Sequence, residues 1–200
     1  MAAIAPSVTL AVDAQAKAMK AAGERVCGFG AGEPDFDTPE PIKEACIAAL
    51  RSGQTKYAPN AGLPELVSAI VDKLRDENGV RVEADQVLVS NGAKHSLFNL
   101  FLTLLRPGDE VLLPTPYWVS YIEMIRVAGA EPVLVPGDEA AGLKVTPGQI
   151  ERAITPRTRL LVLNSPSNPT GVVDSEPEQR ALAKTITLIE SQREDHRGRA

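Results

Sequence analysis

The hydrophobic pattern changes period along the chain. Residues 9–22 and 63–77 carry apolar positions at helical spacing, and they stop at Gly23 and at Asn78-Gly79. Glycine and asparagine are the residues that most readily close a helix in a left-handed turn. Thr38 before Pro39 predicts another helix, capped by Thr38, with proline in the first helical position. It runs to Leu50 and ends near Gly53. Short apolar runs interrupt this rhythm. "RVCGF" (25–29), "QVLVS" (86–90), "EVLLP" (110–114), "EPVLVP" (131–136) and "RLLVLN" (159–164) read as buried strands. Helical stretches "KHSLFNLFLTLL", "WVSYIEMIRVAG" and "TPGQIERAI" separate the last four. Apolar strands alternating with helices predict an α/β fold with a mainly parallel sheet and crossover helices. After Val173 one amphipathic stretch ends in a charged segment that contains no strand.

Composition narrows the class. The chain has 200 residues, 44% hydrophobic and 24% charged, enough for one ordinary core and too apolar for wholesale disorder. A net charge of −5 argues against nucleic acid and anionic membranes as partners. The longest apolar run, "SLFNLFLTLL", is far shorter than the roughly 20 residues of a membrane span. Cys27 and Cys46 have no CxxC spacing and read as reduced thiols, and no signal peptide is visible. A soluble, cytoplasmic protein without a metal site is expected.

Four stretches could carry chemistry. In "VLVSNGAKHSLF" a strand ends and Asn91-Gly92 turns into a helix. Its free N–H groups, with Lys94 beside them, suit an anion; the glycine alone could equally be turn geometry. In "GFGAGEPDFDTP" the glycines do not complete a dinucleotide fingerprint, because Glu33 stands where the third glycine belongs and loop follows. Gly32 reads instead as a close backbone approach to a small ligand. Trp118, the single tryptophan, follows a strand's carboxyl end, where ligands bind in open α/β sheets. It is either a core indole or an aromatic plate for a flat cofactor. In "VLNSPSNPTGVV", Asn168 stands between Pro166 and Pro169, again after a strand. Either it is a plain turn residue, or its amide serves a ligand as donor and acceptor.

The segments "AGEPDFDTP", "TKYAPNAGLPEL", "SNGAKHSLFNL", "PGDEVLLPTPYWVSY" and "AITPRTRLLVLNSPSNPTG" resemble the class I/II pyridoxal-phosphate-dependent aminotransferases, most closely those of the bacterial aspartate type, from Pro6 to Val173. The resemblance implies pyridoxal 5′-phosphate as cofactor, amino acid and 2-oxo acid substrates, and a homodimer. Asn168 would bond the phenolic oxygen of the pyridoxal ring and Trp118 would stack on it. Gly92, Ala93 and Lys94 would hold the phosphate, with Lys94 also near the substrate's distal carboxylate. Tyr57 would reach the phosphate of the neighbouring subunit, and Gly32 would lie against the α-carboxylate. The implied fold is an incomplete fold-type I large domain, three-layer α/β/α. Its parts would be an N-terminal arm and small-domain segment (1–35), a partial cofactor-binding domain (36–173) and a divergent helical tail with a charged end (174–200).

The resemblance also implies what is missing. The family's aspartate partner of the pyridine nitrogen, its Schiff-base lysine in a Ser-x-x-Lys setting and its carboxylate-clamping arginine have no counterpart here. Asp174 is too close to the turn, and Lys184 lies in the wrong context. No catalytic residue is therefore assigned, and the chain alone is expected to be inactive. Its family reaction would convert aspartate and 2-oxoglutarate to oxaloacetate and glutamate. The alternatives are an aromatic or alanine aminotransferase and a truncated non-catalytic paralogue. Ala5 stands where relatives that act on prephenate often carry lysine, which speaks against that substrate. In the family's strand order "QVLVS" lies at one sheet edge, separated from the other three strands by later chain. Those three should therefore form a small parallel sheet without it.

Overall fold

The computed structural model describes residues 8–30, 32 and 34–197. These fall into two compact units, one up to Ser96 and one from Leu97 onward. Ala5 lies outside the described residues.

The first unit is helical. It contains α1 (Val8–Ala21), α2 (Glu40–Arg51), α3 (Pro64–Asn78) and a short 3₁₀ turn (Ala84–Gln86). Helix α3 ends as its sequence predicts, with Gly79 left-handed at φ 66° and its N–H bonded to Leu74 O. Helix α2 starts one residue later than expected. Pro39, not Thr38, is the N-cap, and the Thr38 N–H is already engaged by Asp37 Oδ1 at 2.9 Å. Neither "RVCGF" nor "QVLVS" forms a strand. An apolar run becomes a strand only when its N–H and C=O groups find a ladder. Residues 86–90 find only a fragment of one: Val89 N–H donates to Ala61 O at 2.9 Å. The next residue, Gly62, has φ +115° and would place a Cβ 2.5 Å from the Val89 side chain, so the contact depends on glycine there. Val67 is the buried hydrophobic residue described in this unit, while Phe29, Phe36, Leu50 and Leu88 are exposed.

The second unit holds the sheet. Helix α4 (Gly92–Leu104) enters it and is followed by β1 (Glu110–Thr115), α5 (Ser120–Val127), β2 (Glu131–Pro136), α6 (Pro147–Ala153), β3 (Thr158–Leu161) and α7 (Glu176–Arg197). The strands are parallel in the order β2-β1-β3, with Glu110 opposite Glu131 and Leu112 opposite Leu161. The three-stranded sheet without residues 86–90 is the arrangement the strand order predicts. Strand β3 is shorter than the apolar run that announced it, although Val162 N–H still donates to Leu112 O at 3.0 Å.

Successive β1 side chains point to opposite faces. Val111 and Leu113 join Phe101, Leu105, Tyr121, Met124, Ile125 and Ala130 under α4 and α5. Leu112 joins Val135, Ile150 and Leu182 under α6 and α7. This gives three layers with β1 buried on both faces, which is why its sequence reads as an unbroken apolar run. Full burial of each such side chain stabilises the fold by about 1.5–3 kcal/mol. At the amino end of β1, Glu110 is 3% exposed. Its carboxylate accepts from Thr155 Oγ1 and from the Arg157 guanidinium, with Nε at 2.9 Å. This ties β1 to the segment that leads into β3.

Candidate functional site

Because the strands are parallel, the chain segments that follow them gather at one sheet edge, where a crevice is expected. The cleft there is lined by Thr115 at the end of β1, by Pro116, Tyr117 and Tyr121 after it, by Lys144 after β2, and by Asn164 and Asn168 after β3. It is shallow, with a cavity volume of about 50 Å³.

Asn168 sits in a turn closed by short contacts. Its backbone N–H donates to Asn164 Oδ1 at 2.9 Å. Ser167 N–H donates to Val172 O at 2.8 Å, and Gly171 N–H donates to Ser167 O at 2.7 Å. Asp174 N–H donates to Ser165 Oγ at 2.8 Å. The Ser165–Pro166 and Asn168–Pro169 bonds are cis, as is Thr115–Pro116 on the facing segment. With the backbone held by the hydrogen bonds at Asn168, Ser167, Gly171 and Asp174, the Asn168 side chain is exposed on the cleft wall.

Trp118 lies between β1 and α5, half-buried against the core under α5. The Tyr121 ring meets it edge-on, with centroids 5.3 Å apart and planes at 86°. Such pairs add about 0.5–1.5 kcal/mol beyond area burial and fix the plane of the indole. Trp118 itself does not line the cleft; Tyr117 and Tyr121 do. Burial pushes the Tyr121 phenol above its ordinary range.

The other expected site residues belong to the first unit. Gly92 opens α4 with φ +78°, a conformation that favours glycine. Its N–H turns back to Ser90 O at 2.8 Å, and Asn91 N–H goes to His95 Nδ1 at 3.2 Å. The backbone N–H of Ala93 lies in the first helical turn, where N–H groups have no intrahelical acceptor, and Lys94 follows it there. Lys94 is exposed, as is Tyr57 in the loop between α2 and α3. Gly32 is exposed, with nothing within 4 Å of the place a Cβ would take. The second unit therefore brings Asn168 and the aromatic segment around Trp118 to one sheet edge, while Gly32, Tyr57 and residues 92–94 stand in the first.

Among the cleft residues that were not predicted are Asn164 and Lys144. Asn164 ends the apolar run of β3, and its signal was the pair of asparagines four residues apart. Lys144 carries no local motif; it reaches the cleft from the segment after β2.

The family described as aminotransferase class I and II matches residues 10–188. The chain belongs to the class I and II aminotransferases. These enzymes depend on pyridoxal 5′-phosphate. The match continues past Val173 and takes in much of α7, so the resemblance extends further than the sequence motifs alone indicated. An aspartate aminotransferase of Geobacillus stearothermophilus is 50% identical over 184 residues, covering 92% of this chain and 47% of that protein. A probable aspartate/prephenate aminotransferase of Aquifex aeolicus is 52% identical over 179 residues, 90% of this chain and 45% of its own length. The crystallised aspartate aminotransferase of Thermus thermophilus with maleate superposes with a TM-score of 0.90 at 49% identity, over 93% of this chain and 49% of that one. The chain thus spans about half the length of the curated relatives it matches. The α/β architecture with its parallel sheet is that of the corresponding part of a fold-type I aminotransferase. Among the described residues no helix is long and apolar enough to cross a membrane.

Proposed function

We propose that this chain supplies part of the cofactor pocket of an aminotransferase that exchanges an amino group between aspartate and 2-oxoglutarate. The observation that carries the reading is the Asn168 turn, held by backbone bonds at the same sheet edge as the aromatic segment that follows β1.

The residues present suit pyridoxal 5′-phosphate chemically. The N–H groups that open α4, with the charge of Lys94, match a phosphate dianion. The Asn168 amide matches a phenolic oxygen, and the Trp118 indole, with its plane set by Tyr121, matches a flat ring. The cofactor when bound supplies an electron sink for charge developing at the substrate's Cα. In this reading Ala93 donates to the phosphate, Gly92 does so by exchanging its bond to Ser90 O for one to the phosphate, and Lys94 neutralises charge there and attracts the distal carboxylate of a dicarboxylic substrate. Gly32 lies against the α-carboxylate. Tyr57, exposed in the described chain, reaches the site of a second copy in a homodimer. The sequence contains no Ser-x-x-Lys, so the 200-residue chain alone binds but does not turn over.

The test is titration of the purified chain with pyridoxamine 5′-phosphate, an amine that cannot form imines with surface lysines. Fluorescence reports directly because Trp118 is the single tryptophan. Saturable quenching is expected, weakened about tenfold by Asn168→Ala, the order of one hydrogen bond to a charged group. Quenching that is linear in ligand and indifferent to Asn168 would overturn the reading. So would steady aspartate-dependent transamination by this chain.

A further inference from the structure

The turn that carries Asn168 leaves the cleft toward α7, and the first turn of that helix holds it. The Ser175 N–H and Oγ both donate to Glu178 Oε2 at 2.7 Å. The same carboxylate receives Lys144 Nζ at 2.8 and 3.0 Å. Lys144 comes from the segment after β2 and lines the cleft together with Asn168 and Asp174. One residue before Ser175, Asp174 N–H donates to Ser165 Oγ at 2.8 Å. Gln179 Nε2 returns to Asp174 O at 3.2 Å. The contacts run from Lys144 through Glu178, Ser175 and Asp174 to Ser165, so both ends of the Asn168 turn are closed by them. The anchor is firm, because Leu182, one turn along α7, is 2% exposed and packed against Leu112, Val135 and Ile150.

We propose that Glu178 is a positioning residue of the cofactor site. It fixes the Asn168 turn to α7 and holds Lys144 at the cleft wall. This rests on the reading of Asn168 as a cofactor contact. An exposed ion pair alone would contribute little. Here one carboxylate gathers four charge-assisted bonds from two segments that meet at the cleft, and such networks act together. A plain helix cap would need only Ser175. The addition of Lys144, 34 residues away in sequence, is what links the cap to the cleft.

The experiment compares the full chain with Lys144→Met and Glu178→Ala. Amide hydrogen exchange is read at Gly171 and Asp174, with Leu112 as the core reference, and pyridoxamine 5′-phosphate affinity is measured alongside. Both variants should raise exchange at Gly171 and Asp174 about tenfold, the scale of one lost charge-assisted bond. Leu112 should not change, and ligand affinity should fall several-fold. Lys144→Met leaves the cap intact, so it decides the matter even if Glu178→Ala does not fold. Unchanged exchange at Gly171 and Asp174 in Lys144→Met would overturn the proposal, as would a rise equal to that at Leu112. If the unmodified chain binds no pyridoxamine 5′-phosphate, the functional reading fails on its own, and the exchange comparison still decides whether Glu178 positions the turn.

Discussion

The backbone N–H of Asn168 donates to the side-chain Oδ1 of Asn164, 2.9 Å away. One asparagine thus orients the backbone of another, and the amide expected to serve a ligand stands on a residue whose own backbone N–H is already bonded. Asn164→Ala removes the acceptor, and Asn164→Asp keeps one. We expect Asn164→Ala to weaken pyridoxamine 5′-phosphate binding about five- to tenfold while stability falls by only about 0.5–1.5 kcal/mol, a typical net hydrogen-bond contribution. Asn164→Asp should bind more tightly than Asn164→Ala. Fluorescence titration with parallel urea unfolding checks this, and equal affinities for the two variants would count against an orienting role.

Glu110 should make the fold sensitive to acid. Its bonds from Thr155 and then Arg157 hold the carboxyl below the usual carboxylate range. Glu178 is held down to about 2, chiefly by Lys144 and then by Ser175. A depressed folded-state pKa contributes stability above the unfolded-state value and loses it as pH falls through the folded one. The contribution of Glu178 should therefore fade between about pH 4.5 and about 2, and that of Glu110 below the ordinary carboxylate range. Arg157→Met leaves Glu110 in its buried place without its guanidinium and should lower stability at neutral pH. Its stability curve should be flatter than the parent's below pH 4.5. Urea unfolding at neutral and acid pH measures both, and parallel curves would show that the pair carries no linkage.

Helix α7 is part of the second unit's core through Leu182. Leu182→Ala should cost about 2–5 kcal/mol, as for other fully buried leucines. Lys184→Ala, an exposed site on the same helix, should change stability by less than about 0.5 kcal/mol. Equal small effects in denaturant melts would mean that α7 does not hold the sheet.

How far the sequence could be read depended on the distance over which each role is set. Strands β1 and β2 were legible because their apolar runs are complete in themselves, and β1 is buried on both faces. The runs at 25–29 and 86–90 also read as apolar but form no strand, and composition does not reveal a missing partner. Asn168 stood out because the prolines around it restrict the backbone locally. Asn164 and Glu178 did not, because their roles lie in contacts with Asn168 and with Lys144. The tail read as merely amphipathic. That Leu182 would share a core with Leu112 is a matter of tertiary packing, which periodicity does not specify.

The central claim is that Asn168, Trp118 and the opening turn of α4 serve one cofactor. Amide-resolved NMR of the ¹⁵N-labelled chain, titrated with pyridoxamine 5′-phosphate, tests it most directly. The account expects the Asn168 side-chain amide, the Trp118 indole N–H and the backbone amides of Ala93 and Lys94 to shift together along one saturation curve. Shifts confined to scattered lysines and helix ends, with the Asn168 amide and the Trp118 indole unmoved, would contradict it.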